Sequence, residues 1–284
     1  MKILVSGSTG LVGKNLIPKL QDRGYEVETI GREDFKQDIS LLTSRIHEAG
    51  IVIHLAGAPI VARWTSAYKK EILASRVDTT KMIVEAIAAA ENKPQLFIST
   101  SAVGIYPDGK TFTESDAEFS DNFLGQVCSA WEAEALNARS FTKVAICRLG
   151  VVLAKDGGAL PKMLPSFRLG MGGPVAGGQQ GFSWIHLSDL IDAYLFIIDK
   201  HLEGTFNLTA PGVTDNYGFT KVLAQILQRP AIVPVPSFAL KLAFGEGAVT
   251  LTSGQKALPG HLLNEGFKFK FPDLKAALED ILQK

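Results

Sequence analysis

Apolar and polar positions follow two rhythms along the first half of the chain. Short runs that are apolar throughout, KILVS (2–6), IVIHLAG (51–57), PQLFISTSA (94–102) and KVAICRLG (143–150), are joined by YEVETI (25–30) as a further strand-like run. Between them lie stretches whose apolar residues recur at helical spacing, 11–24, 40–50, 64–91 and 121–139. Strands without a polar side belong in a sheet covered on both faces, and amphipathic helices supply the cover. The pattern predicts repeated βαβ units. Right-handed crossovers then leave a doubly wound parallel α/β sheet as the main option.

The texture changes after Gly150. Residues 156–181 (DGGALPKML to RLGMGGPVAGGQQG) are rich in glycine and proline and predict a loop-rich surface over a cleft. A helix is expected within 183–200 with Ser188 as its N-cap, then a strand at 204–210 and a helix to about Gln228. Residues 234–282 read as a small α-rich lobe. No repeat or low-complexity linker separates these parts. The expected organisation is a dinucleotide-binding domain at 1–150, with 184–210 returning to it, interleaved with a smaller substrate lobe at 151–183 and 211–284.

Composition narrows the function. The 284 residues are 46% hydrophobic and 20% charged, which suits a globular protein with a sizeable core. Lys plus Arg equals Asp plus Glu at 29 each, so no net field favours nucleic acid or an anionic membrane. Cys128 and Cys147 form neither a CxxC nor a disulfide framework, which points to a reducing compartment. Gly7 and Gly10 interrupt the N-terminal apolar run too early for a signal peptide, and no run reaches membrane-spanning length. The expected location is the cytoplasm, or an organelle reached by a presequence. No His/Cys/Asp/Glu group has metal-ligand spacing, so no metal is expected.

GSTGLVG (7–13) joins the first strand to the first helix. Glycines 7, 10 and 13 permit a tight turn and close approach of a pyrophosphate to the helix N-terminus, with Ser8, Thr9, Leu11 and Val12 completing the loop. The G-x-x-G-x-x-G spacing is weak alone, but between a strand and a helix it outweighs a plain turn. Where an acidic residue would hold the ribose hydroxyls of NAD, the second strand runs out as TIGRED, with Arg32 in that place. A guanidinium suits a 2′-phosphate, so NADP(H) is favoured over NAD(H). Glu33 and Asp34 follow directly, and a solvated charge cluster is the competing interpretation.

GSTGLVG, Asp38 in KQDIS, HLAGAP (54–59), ISTSAVGIYPDG (98–109), RLGVVLAKDGG (148–158), WIHLSDLIDAY (184–194) and GTFNLTAP (204–211) together resemble extended short-chain dehydrogenase/reductases of the epimerase/dehydratase kind. RWTSAYKKEI, VCSAWEAEA, SWIHLSDL and the C-terminal segment from PVPSFALKLAFGE to GFKFKFPDLKAAL are similar to the atypical "epimerase family" proteins, also labelled cell-division-inhibitor-like. The resemblance spans essentially the whole chain. It implies a Rossmann-type fold with a smaller substrate lobe, and a cofactor lined by the glycine loop, Asp38 and the turn Leu55, Ala56, Gly57 and Ala58. It also implies a Ser/Thr, a catalytic Tyr, and a Lys four residues later that lowers the Tyr pKa and binds the nicotinamide ribose. Ser101 matches the serine. The helix that should carry the pair reads LGQVC, with Leu124 and Cys128 in the two places, and Arg76 corresponds to the Asn that supports the lysine.

Several side chains therefore have two readings. Cys128 is a weak acid or, if Arg76 lies close, a thiolate; alternatively it packs on the sheet in a stripe with Leu124, Trp131 and Ala135. Ser101, at the end of a parallel strand, orients a substrate oxygen or caps a turn. Tyr106 replaces the missing phenol or packs beside Pro107. His186 reads as structural, His54 as positional, and Cys147 as core. Arg63 and Trp64 bind an anionic or planar substrate or staple their turn. The reading carried forward is an NADP(H)-binding oxidoreductase or epimerase acting on a small carbonyl or hydroxyl compound, with Ser101, Arg76 and a proton donor chosen from Tyr106, Cys128 and water. The alternative is a nucleotide-binding redox sensor or scaffold that has lost catalysis and regulates a protein partner. Analogy with related folds suggests that two copies pair through helices 64–91 and 121–139.

Overall fold

In the computed structural model, which describes residues 1–283, strand β1 (Lys2–Ser6) lies between β2 (Glu26–Ile30) and β3 (Ile51–His54), parallel to both. The sheet continues through β4 (Leu96–Ala102), β6 (Lys143–Leu149) and β10 (Gly204–Leu208), giving six parallel strands in the order β10-β6-β4-β3-β1-β2. Alternate residues of each strand serve opposite faces. Ile3, Val5, Ile53 and Ile98 pack with Leu16, Leu20 and Leu190 from α1 (Leu11–Asp22) and α6 (Leu187–Lys200). Leu4, Val52, Phe97 and Ile146 pack on the other side with α2 (Ile39–His47), α3 (Ser66–Ala89) and α4 (Phe123–Leu136). The strand order turns back at β1 and β3, and such a fold opens its ligand crevice at that point, over the carboxyl ends of the strands.

The remaining elements build on the β10 side and across the carboxyl ends. β7 (Val151–Leu153) pairs with β9 (Trp184–His186), and β8 (Gly181–Phe182) with β11 (Thr214–Asp215). Around them α5 (Leu160–Arg168), α7 (Asn216–Leu227) and α11 (Leu274–Gln283) enclose a core of Leu160, Phe167, Trp184, Phe219 and Leu278. β12 (Lys256–Ala257) pairs with β5 (Thr111–Phe112), tying the last quarter of the chain to the loop after β4. The helices α8 (Ser237–Phe244), α9 (Val249–Thr252) and α10 (Gly260–Asn264) complete it.

Two local expectations are corrected. The glycine- and proline-rich stretch 156–181 contains α5, whose Pro161 sits in the first turn where no intrahelical donor is lost. The N-cap of α6 is His186, not Ser188: the helix begins at Leu187, and the His186 Nδ1 accepts the Ser188 N–H at 3.0 Å while its ring lies against Phe271. No residue of α8 is buried. Phe238 and Leu242, one turn apart on it, are largely exposed, as are Leu169, Met171, Ile232 and Val233. The exposed residues of α3 include Lys70, Glu71, Leu73, Asp78, Lys81 and Glu85.

Candidate functional site

The glycine loop is shaped by contacts that exclude side chains. Gly7 has φ 74°, and a Cβ there would lie 2.7 Å from the Leu55 carbonyl carbon; one on Gly13 would lie 2.5 Å from the Gly7 oxygen. α2, α3, α4 and α7 are capped by the side chains of Asp38, Thr65, Asn122 and Asp215, whereas α1 starts at Gly10 with no side-chain cap. Its first N–H groups and the positive end of its dipole are left open at the carboxyl end of β1, the arrangement that receives a phosphate.

At the end of β2, both acids that follow Arg32 are engaged elsewhere. Glu33 pairs with Lys36 at 2.8 Å, while Asp34 accepts the Gly31 N–H at 2.6 Å and pairs with Arg45 at 2.9 Å. Arg32 is exposed and has no partner among the described residues, so its charge is not neutralised by its neighbours. Asp38 Oδ1 takes the Ser40 N–H at 2.8 Å, and the Ser40 hydroxyl together with that N–H holds the exposed carboxyl below its usual range. Its capping of α2 was not anticipated.

The turn 55–58 packs directly on Gly7 and is held from behind. Ser6 Oγ meets His54 Nδ1 at 2.6 Å and the Leu55 N–H at 3.2 Å, and Ser75 Oγ takes the Ala58 N–H at 3.0 Å. His54 is fully enclosed; burial, helped by the charge of Arg76, pushes its pKa down to about 3, so the ring is neutral. Arg76, from α3, bonds the Ala58 oxygen at 2.9 Å and the Ile72 oxygen at 3.1 Å, with its guanidinium 5.3 Å from the Trp131 ring. Arg63 reaches the Leu242 oxygen. Trp64 is buried, with its Nε1 on the Ile60 oxygen at 2.9 Å, so this pair staples the turn to α8.

At the end of β4, Ser101 is buried and donates its proton to Glu132 Oε1 at 2.6 Å. Glu132 is gripped by Arg148 from β6 through two bonds of 2.8 and 2.7 Å. Arg148 also donates to the Tyr106 hydroxyl at 2.6 Å, and that hydroxyl's proton faces the Asn207 Oδ1 and the Thr113 oxygen, each at 3.0 Å. With no exposure and every hydrogen-bonding position filled, Tyr106 is a locked structural phenol, and burial raises its pKa. It is not the replacement proton donor. Cys128 packs with Val103, Ile105, Tyr106 and Phe112. Burial pushes its thiol up to about 11, the Glu132 carboxylate adds to this, and Arg76 only partly opposes it. The thiolate form is therefore excluded at neutral pH. Cys147 is fully buried in β6.

Ser101, Cys128 and Arg76 are thus brought to one place; Tyr106 packs beside Cys128, with its hydroxyl taken up by Arg148, Asn207 and Thr113. The pair Glu132 and Arg148 was missed by sequence reasoning. Its signal was faint but present: an arginine inside the otherwise apolar KVAICRLG, and a glutamate one turn beyond Cys128 on the inner face of the helix. Among the described residues no group of His, Cys, Asp or Glu is arranged to hold a metal ion, and no helix is long and apolar enough to cross a membrane.

Residues 3–209 match the NAD dependent epimerase/dehydratase family, and residues 235–281 match a domain of unknown function, DUF1731. The chain is 37% identical over 294 residues to the epimerase family protein SDR39U1 of Mus musculus, covering 99% of this chain and 100% of that one. It is 37% identical over 303 residues to the chloroplastic SDR39U1 homolog of Arabidopsis thaliana, covering 100% of this chain and 87% of the other. The crystal structure of human SDR39U1 (isoform 2) with NADPH superposes with a TM-score of 0.91 at 32% identity, covering the whole of both chains.

Proposed function

The chain belongs to the NAD dependent epimerase/dehydratase family, and from that premise we propose that it is an NADP(H)-dependent oxidoreductase or epimerase-type enzyme acting on a small carbonyl or hydroxyl compound. The observation that carries the cofactor half is the open N-terminus of α1 beside an Arg32 whose two acidic neighbours are bonded elsewhere. The pyrophosphate sits on the α1 amides, and Arg32 takes the 2′-phosphate. The human relative crystallised with NADPH supports the same choice. Asp38 and the turn Leu55–Ala58 line the adenine and ribose side. Residues 1–150 with 184–210 act as the cofactor domain, and 151–183 with 211–284 as the substrate lobe.

Ser101 enters the chemistry as an acceptor. Its proton goes to Glu132, so its lone pairs accept from the hydroxyl that forms as a substrate carbonyl is reduced. When bound, the nicotinamide would exchange a hydride with the substrate carbon, and the hydroxyl proton would be exchanged with water, because the Cys128 thiol keeps its own proton at neutral pH. NADPH-loaded protein supplied with fractionated metabolites should oxidise cofactor with one fraction. Ser101→Ala should lose that turnover by about a hundredfold while still binding NADPH. Turnover unchanged in Ser101→Ala removes Ser101 from the mechanism.

One observation favours the regulatory alternative: the exposed apolar strip of Phe238 and Leu242 on α8, a surface of the kind a protein partner covers. NADPH binding with no oxidation by any fraction would shift the reading to that alternative. Both cysteines are buried free thiols, in keeping with a reducing compartment such as the cytoplasm.

A further inference from the structure

Two distant runs of the chain meet to form an apolar surface that stays exposed. The Val233 N–H bonds the Gly172 oxygen at 3.2 Å and the Val235 N–H the Pro174 oxygen at 3.0 Å, so the run after α5 lies against the run after α7. Leu169 and Met171 stand exposed on the first run, and Ile232 and Val233 on the second. α8 begins two residues after Val235, buries none of its residues, and adds Phe238 and Leu242. Leu169, Ile232, Phe238 and Leu242 are 70, 79, 73 and 77% exposed, so they project from the surface rather than line a groove. Pro230, Pro234 and Pro236 stiffen the second run, and α8 is anchored by the Trp64 N–H on the Phe244 oxygen. Hydrocarbon displayed this way on a rigid frame is stabilised by whatever removes it from water.

The charge around this surface has one sign. Over the whole chain Lys plus Arg equals Asp plus Glu, at 29 each. Residues 157–188 and 216–245, which include α5, α7, α8 and both runs, contain Lys162, Arg168, Lys221, Arg229 and Lys241 and not one Asp or Glu. All five cations are exposed, and among the described residues none of them pairs with a carboxylate. Arg168 adjoins Leu169, Arg229 stands three residues before Ile232, and Lys241 adjoins Leu242, so each apolar projection has a cation beside it. The neutral total therefore conceals a segregated distribution: these segments are purely basic, and the remainder of the chain carries the excess of acid.

The charges and the shape separate the occupants such a surface could have. A second copy docked about a two-fold axis would set these cations against the same cations. A partner helix needs a groove for its apolar face, and these side chains stand out instead. An anionic bilayer takes projecting apolar side chains among its acyl chains and holds Lys and Arg heads at its phosphates, their stems lying along the apolar layer. We propose that the two runs and α8 form a peripheral docking surface for an anionic lipid bilayer. Leu169, Ile232, Phe238 and Leu242 enter the interface, and Arg168, Arg229 and Lys241 meet the headgroups. The chain lies on the membrane, since no helix among the described residues is long and apolar enough to cross it. This stands independently of the cofactor reading above.

Flotation of the full chain with vesicles tests this, using phosphatidylcholine alone and phosphatidylcholine with about one-third phosphatidylglycerol. Wild type should bind the anionic vesicles at least about ten-fold more tightly than the neutral ones, and high salt should remove most of that difference. Phe238→Ser combined with Leu242→Ser should weaken anionic-vesicle binding by about five-fold or more, with melting curves to confirm folding. Ile232→Ser, on the other run, is the second probe and decides if that double variant does not fold. Arg229→Glu combined with Lys241→Glu should abolish the preference for anionic vesicles, while Lys81→Glu on α3 should leave it within about two-fold. Equal binding to both vesicles overturns the proposal, as does binding that survives the serine changes or that Lys81→Glu weakens as much as the paired reversal. Wild type that stays off the anionic vesicles also overturns it. The surface then belongs to a second copy if sedimentation shows self-association that the serine variant loses, and to a protein partner if it does not.

Discussion

His54 sits between the Ser6 and Thr79 hydroxyls with no exposed edge, and the consequence is measurable as acid sensitivity. In the unfolded chain its ring titrates near 6.5, and in the folded protein near 3. Between these values the unfolded chain takes up a proton that the folded one refuses. The stability this ring contributes is therefore complete above about pH 6.5 and falls on acidification by up to ~1.4 kcal/mol per pH unit. Urea midpoints should drop from pH 7 to pH 4.5, and His54→Gln should flatten that slope; an identical slope in the variant would contradict it. IVIHL shows that a histidine ends an apolar strand, and from that alone its positional role was legible. Glu132 was harder to see. In WEAEA a glutamate looks like any solvated helix residue, and only the register of α4 against β6 shows that this one meets an arginine.

That meeting is an event between elements. Glu132 on α4 and Arg148 on β6 are both nearly inaccessible and bonded twice to each other, and the same pair fixes Ser101 on β4 and Tyr106 beyond it. Removing one partner strands the other's charge in the core. Glu132→Ala should cost about 3–5 kcal/mol in urea unfolding, well above the roughly 0.5 kcal/mol that bounds most surface changes. A loss under about 1 kcal/mol would mean that water reaches Arg148 freely. Long periodic helices and continuously apolar strands were legible because their patterns repeat over many residues. α5 was hidden by the glycines and prolines around it, since a short helix starting at a proline resembles a loop in composition. The His186 cap was hidden because imidazole is an uncommon cap whose role depends on Phe271, distant in sequence.

At the scale of the whole molecule, the six-stranded sheet follows from local pattern, whereas the second half depends on pairings between distant segments. β5 and β12 join residues 111–112 to 256–257, and two-residue strands of this kind leave no periodic trace. The reading of the open α1 N-terminus and Arg32 as an NADP(H) site is the claim on which the proposed chemistry depends. Fluorescence titration of the full chain with NADPH and with NADH, as wild type and as Arg32→Ala, tests it most directly. The account predicts that wild type binds NADPH at least about ten-fold more tightly than NADH and that Arg32→Ala removes most of that difference without harming NADH. Equal affinity for the two cofactors, or a preference that survives the loss of Arg32, would contradict it.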